Sequence, residues 1–332
     1  MNFFKTSIAM IQRSFMVKAY CIALQIGFIL LLTSSCNNQP KTTSTPVSRQ
    51  EFASEMVDFT PYQSNPVFTA TAQDTWDQKI RERGYILYED SIYKMWYTGY
   101  NGSDTVVKYL GYATSRDGIH WERYKNNPIF TGKWTEDMCV IKNGGTYYMF
   151  AEGRNDVAHA LISNDGLHWQ EEGDLKIFTT DGKAISGPYG TPTAWLENGK
   201  WYLFYERNDE AIWLATSKDR KSWTNVQDEP VIKKGPDKYD AGAVAANQVV
   251  KFNGKYYIYY HASADPMMSS TVWSSNVAMS TDLVHWVKYS KNPIVQGDHS
   301  SPITVWDGKA YRLYTMHPQV DVYFSKGEPI SR

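Results

Sequence analysis

Carboxylates recur in this chain at one spacing from a repeated marker. Five aromatic-rich segments begin at Tyr93, Tyr147, Trp201, Tyr256 and Tyr311. Eleven residues before each lie Glu82, Glu136, Gly190, Ala245 and Ser300, and five residues after each lie Thr98, Glu152, Glu206, His261 and Met316. Asp137 follows Glu136 directly, and His317 follows Met316. Paired carboxylates suit glycosidic bond cleavage: one donates a proton to the leaving oxygen while another activates water or attacks the sugar. Arg81, Arg83, Arg154 and Arg207 accompany these acids. With His261 and His317 they are candidates for substrate binding, because a cation can hold a carboxylate ionised or take an anionic group. The plainer reading is that Glu82 and Glu136 only pair with Arg81, Arg83 or Arg154 across a channel. Asp77 and Asp240, each preceded by an aromatic residue, are either turn caps or further acids leaning over the site.

The elements that must position these residues repeat as well. The marker segments are spaced by 54, 54, 55 and 55 residues, and each reads as a strand. Asn-Gly turns precede several of them, at Asn198-Gly199 and Asn253-Gly254 for example, which is a hairpin signal. A second motif follows the first four strands, running from Ser115, Ser163, Ser217 and Ser280 to Trp121, Trp169, Trp223 and Trp286. Its aspartates, Asp117, Asp165, Asp219 and Asp282, occur in every full copy and are read as turn formers, not catalysts. Strand-only repeats of this length indicate propeller blades. The expected fold is all-β, a five-bladed propeller of four-stranded blades over 58–332. The stretch 58–68 is expected to supply the outer strand of the last blade and close the ring. If equivalent positions on equivalent strands face the same way, the acids, arginines and histidines gather around one end of the axis.

The whole chain has 332 residues, 42% hydrophobic and 21% charged, with a net charge of −1. That is ample for one large core, and the balance argues against nucleic acid, which asks for a basic face. At the N-terminus, Lys18 precedes a short apolar run that ends in Leu32-Thr33-Ser34-Ser35-Cys36. This describes a secretory signal and is too short for a membrane span. It is similar to a bacterial lipoprotein signal, which implies a signal peptide over 1–35, lipidation of Cys36, and a flexible linker over 36–57. The expected location is the bacterial cell envelope, with the membrane reached only through that anchor. Cys139 would then be the one thiol left in the mature domain, without a disulfide. No zinc-like spacing or phosphate loop is present, so no metal or cofactor is assigned beyond an axial Ca²⁺ that channel oxygens could accept.

The run Asp77…Arg81-Glu82-Arg83-Gly84…Tyr93, together with the blade count, resembles the arabinanase/levansucrase/invertase-like (furanosidase) glycosidases. The resemblance covers 58–332. It implies three carboxylates. The first would be Glu82, as general base or nucleophile, with Asp77 as its rival. The second would be Glu136 or Asp137, tuning the others. The third, the general acid, should open blade three, where this chain has Gly190-Thr191-Pro192. Glu206 is the substitute, followed by Glu152 and Asp240. The expected function is hydrolysis of a plant or algal oligo- or polysaccharide. The alternatives are a non-catalytic carbohydrate-binding propeller, which the acid missing from blade three favours, and an inverting glycoside phosphorylase, for which the arginines would bind phosphate and against which the export signal counts.

Overall fold

The computed structural model describes residues 51–332 apart from 74, 81–82, 103–105, 268–271 and 327–332. Its strands form five sheets, antiparallel but for one outer strand of blade three, and these are the five blades of a propeller. Blade two runs Glu136–Asn143, Thr146–Glu152, Ala158–Ser163, Gln170–Asp174 from the innermost strand outward. Blade four repeats it as Ala243–Phe252, Lys255–Ser263, Trp273–Ser280, Trp286–Lys288. Blade three starts from Gly190–Glu197 and Lys200–Glu206 and gains the parallel strand Lys176–Phe178 at its outer edge. In each blade the marker segment is the second strand. Blade five is closed from the other end of the domain: Phe59–Pro61 pairs with Asp321–Ser325, and Phe68 bridges Val320. The closing strand expected within 58–68 is therefore found, and it covers an edge that would otherwise be open.

The repeated Ser-x-Asp motif makes the same turn four times. In the first copy Ser115 Oγ accepts from the Gly118 amide at 2.8 Å, and Asp117 Oδ1 accepts from the Ile119 and His120 amides at 2.9 and 2.8 Å. Asp165, Asp219 and Asp282 do likewise. The Trp that ends each motif reaches under the neighbouring blade. Trp169 meets Trp96, Trp223 meets Phe150, Trp286 meets Phe204, and Trp121 meets Tyr314, all edge-to-face at centroid distances of 5.6–6.3 Å. The four partners occupy one position of the marker strand, so a single contact is repeated around the ring. Blade five has no such motif, and at the matching place Tyr259 donates its hydroxyl to Met56 O at 2.9 Å, beside the closing strand.

The strand register explains where the ruler holds. Glu136 pairs with Glu152, Gly190 with Glu206, and Ala245 with His261. Each of these inner strands carries a β-bulge, between Glu136 and Cys139, Gly190 and Thr193, and Ala246 and Gln248. No such shift interrupts the pairs of blade five, so Ser300 bridges His317 instead of Met316. His317 thus stands in blade five where His261 stands in blade four.

Candidate active site

A cavity of about 230 Å³ is lined by residues from successive blades around the axis. Blade two supplies Glu136, Asp137, Glu152 and Asp156, and blade three supplies Thr191, Glu206, Asn208 and Asp209. His261 and Trp273 enter from blade four, Ser300, Ser301 and His317 from the start and end of blade five's inner hairpin, and Lys108 and Trp134 from the junction of blades one and two.

Blade three, which lacks the expected acid, has a different role in this arrangement. A Cβ at Gly190 would overlap both Glu152 Oε2 and Glu206 Oε1. The two oxygens therefore converge on one point and lie within about 5 Å of each other, the scale of carboxylates that act on one bond. Gly190 N donates to Glu206 Oε1 at 3.1 Å, Thr191 N to Glu152 Oε2 at 2.7 Å, and Asp209 N to Glu206 Oε2 at 2.6 Å. The bulge thus presents amides where a third acid was expected. Thr191 has φ 45°, and Asp137, its equivalent on blade two, also has φ 45°. Such left-handed non-glycine residues are costly and gather at functional sites.

The surroundings favour protonated forms for these acids. Burial, reinforced by Asp209 and Asp156, pushes the Glu206 carboxyl up to about 8. Burial, then the charges of Asp137 and Glu136, raises Glu152 as well. Asp209 is lifted to about 6 by burial and Asp156. Burial thus biases both Glu152 and Glu206 toward the protonated form. His261, by contrast, is lowered to about 3 by burial, with Arg83 and His317 adding to it, so it is neutral at ordinary pH. Asn247 Nδ2 lies 3.0 Å from its Nδ1, and with Nδ1 accepting, the ring proton sits on Nε2.

The structure divides the predicted residues. It brings Glu136, Asp137, Glu152, Glu206, His261 and His317 to one cavity. Glu82, Arg81 and Cys36 lie outside the described residues. Arg83 is fully buried on the axis beneath the cavity, and its guanidinium bonds to protein. Nη1 donates to Thr193 Oγ1, Ala246 O and Asn247 O at 2.6, 2.9 and 2.7 Å, and Nη2 to Pro192 O at 2.8 Å and to Asp137 O. Arg154 and Arg207 are placed off the cavity lining, the first over the Trp134 ring and the second over Trp213. Asp77 and Asp240 also sit away from it. Asp77 accepts from Tyr97 Oη at 3.1 Å and Arg123 Nε at 2.9 Å, and Asp240 pairs with Lys288. Among the described residues no group of three or more His, Cys, Asp or Glu is placed to hold a metal ion.

Asp156, Asp209, Trp134, Trp273 and Lys108 were not anticipated. For the two aspartates a signal exists: Glu152-Gly-Arg-Asn-Asp156 and Glu206-Arg-Asn-Asp209 are the same turn on adjacent blades. Trp134 donates Nε1 to Glu136 Oε1 at 2.7 Å.

No family model matches the chain. It is 24% identical over 220 residues to a 1,2-β-oligomannan phosphorylase of Thermoanaerobacter sp. (strain X514), covering 60% of this chain and 70% of that protein. One similar solved structure is described by the finding that the GH130 family of mannoside phosphorylases contains glycoside hydrolases that target β-1,2 mannosidic linkages in Candida mannan. The match has TM-score 0.64 at 16% identity and covers 83% of this chain and 96% of that one. Another is the β-1,2-mannobiose phosphorylase of Listeria innocua in complex with β-1,2-mannobiose, with TM-score 0.61 at 15% identity, covering 80% and 96%. These structural likenesses show the fold.

Proposed function

We propose that this chain is a carbohydrate-active enzyme that hydrolyses β-mannosidic bonds. The observation that carries the reading is the convergence of Glu152 and Glu206 on Gly190, inside a cavity lined by six carboxylates. The names of the similar proteins point to mannosides in place of the furanosides that the sequence suggested. In this reading the Glu152–Glu206 pair holds one proton and one negative charge, as paired acids do, and binds the attacking water between its oxygens. Its ionised member takes the water's proton. Glu136 and Asp137, on the blade-two strand paired with that of Glu152, supply the acid for the leaving oxygen. Neutral His261 hydrogen-bonds substrate hydroxyls. The exported, Cys36-anchored state inferred from the N-terminus remains part of the proposal, since a hydrolase loses nothing by releasing free sugar outside the cell.

Phosphorolysis is the competing reading, drawn from the relatives' names. A phosphate dianion needs cations around it. The described lining offers Lys108 and His317, with His261 neutral, against Glu136, Asp137, Glu152, Asp156, Glu206 and Asp209, and Arg83 is engaged with main-chain carbonyls. The deciding experiment incubates the purified protein with β-1,2-mannobiose with and without inorganic phosphate and separates the products. Mannose formed at the same rate in both supports hydrolysis. Mannose 1-phosphate formed only with phosphate would overturn it, and no product in either would move the chain to the binding-module class.

A further inference from the structure

We propose a second sugar-binding subsite in the cleft beside the catalytic cavity, with Trp134 as the wall between the two. The inference rests on the mannosidase reading and adds the length of chain that the enzyme takes. Small-molecule sites run from roughly 300 to 1,000 Å³. At about 230 Å³ the catalytic cavity falls below that range, so the further units of an oligosaccharide longer than a disaccharide lie outside it. A neighbouring cleft of about 410 Å³ is lined by Val107, Tyr109, Lys133, Arg154 and Asp174 among others, and it shares Trp134 with the catalytic cavity.

Trp134 is held for this role. Its Nε1 is bonded to Glu136, which fixes the ring against the catalytic acids. Lys108, which lines the catalytic cavity, has Nζ 4.8 Å from the ring centroid. Arg154, which lines the cleft, has its guanidinium carbon 5.0 Å from the same ring. One indole is thus flanked by a cation from each cavity. Arg154 is exposed, and no described carboxylate pairs with it, so its N–H donors are available to the cleft. Lys133 differs, being tied to Glu171 and Asp174 at 2.9 and 2.5 Å. An aromatic wall, a second half-buried aromatic in Tyr109, and the Arg154 guanidinium fork match the alternating apolar faces and hydroxyls of a neutral sugar ring. The occupant is therefore the next residues of the same glycan.

The test uses Arg154→Ala and Tyr109→Ala, two residues of the cleft that do not line the catalytic cavity. Kinetics are measured on β-1,2-linked mannobiose and mannotetraose, and binding of both sugars is measured by calorimetry on Glu206→Gln. The expected result is that kcat/KM for the tetrasaccharide falls about tenfold in each variant through KM, with the disaccharide and the thermal melt unchanged. In Glu206→Gln the tetrasaccharide should bind tighter than the disaccharide, and adding Arg154→Ala should remove that difference. Equal loss on both sugars, or no loss on either, would overturn the subsite while leaving the mannosidase reading intact. Failure of any mannooligosaccharide to bind or turn over would overturn both.

Discussion

Gly190 makes the sharpest residue-scale statement about this site, because the space it leaves empty is the space the carboxylates share. Its φ is not in the left-handed region, so alanine costs little in backbone strain, yet the added methyl would collide with Glu152 and Glu206. Gly190→Ala should lower kcat by at least about a hundredfold, the scale of a displaced reacting group, while the melt moves by only a few degrees. Unchanged kcat would separate the pair from the chemistry. Glu206 gives a second, pH-resolved test. Its folded value of about 8 lies above the ordinary 4.5, so the folded protein holds a proton there that the unfolded chain has released. That stabilising contribution is fully present below 4.5 and is lost as pH rises through about 8. Glu206→Gln, neutral throughout, should flatten the fall of the melting temperature between those pH values and should abolish turnover. A wild-type slope in the variant would show that Glu206 is not the group holding that proton. These residues were legible in part. Counting from the marker strands placed Glu136, Glu152, Glu206 and His261 on paired strands, since strand pairing is periodic. Counting could not show that Gly190 is small because two acids point at it, for that is a fact about neighbouring strands and side-chain direction. Trp134 and Lys108 lie in irregular segments between blades, where no period exists to count.

At the scale of elements, the three bulged inner strands of blades two, three and four act together through Arg83. A bulge leaves main-chain groups out of the ladder, and Arg83 donates to carbonyls in all of them: Asp137 O, Pro192 O, and Ala246 and Asn247 O. Its own backbone N–H donates to Asp137 Oδ1 at 2.8 Å. The sequence presented Arg83 as a substrate-binding candidate because an arginine beside acids reads that way. Its burial on the axis makes it a positioning residue for the strands that carry Asp137 and Thr191. Lysine keeps the charge but cannot serve diverging carbonyls from one planar fork. Arg83→Lys should therefore lower kcat more than it raises KM and lower the melting temperature as well. A rise in KM alone, with kcat and melt intact, would return Arg83 to substrate binding. The outer elements were easier to read. The Ser-x-Asp turns and the Trp that closes each were recognised as structural because they recur in every full copy. The structure adds what the repetition is for: each Trp packs on the marker strand of the blade before it.

For the whole molecule, the cyclic arrangement depends on a short piece of chain far from the rest of its blade in sequence. Phe59–Pro61 completes blade five. Just before it, Met56 and Val57 are buried in an apolar cluster with Leu313 and Tyr323 of blade five and Tyr259 of blade four. These residues replace the Trp motif that joins the other blades, so they are the fastening of the ring. Removing them exposes the edge of Asp321–Ser325, opens a cavity where Met56 sat and leaves the Tyr259 hydroxyl without its acceptor. Losing a buried methionine costs about 2–5 kcal/mol, and an unsatisfied buried hydroxyl adds roughly 1–3 kcal/mol. In a domain of this size each kcal/mol is worth a few degrees, so a chain beginning at residue 63 should melt at least about 10 °C below one beginning at residue 51. It should also associate through the bared edge, which size-exclusion chromatography would report. The catalytic cavity draws on blade five through Ser300, Ser301 and His317, so activity should fall with the fastening even though no removed residue touches the cavity. Equal melts and equal activity in the two chains would show that the ring is held by the blade-to-blade aromatic contacts alone.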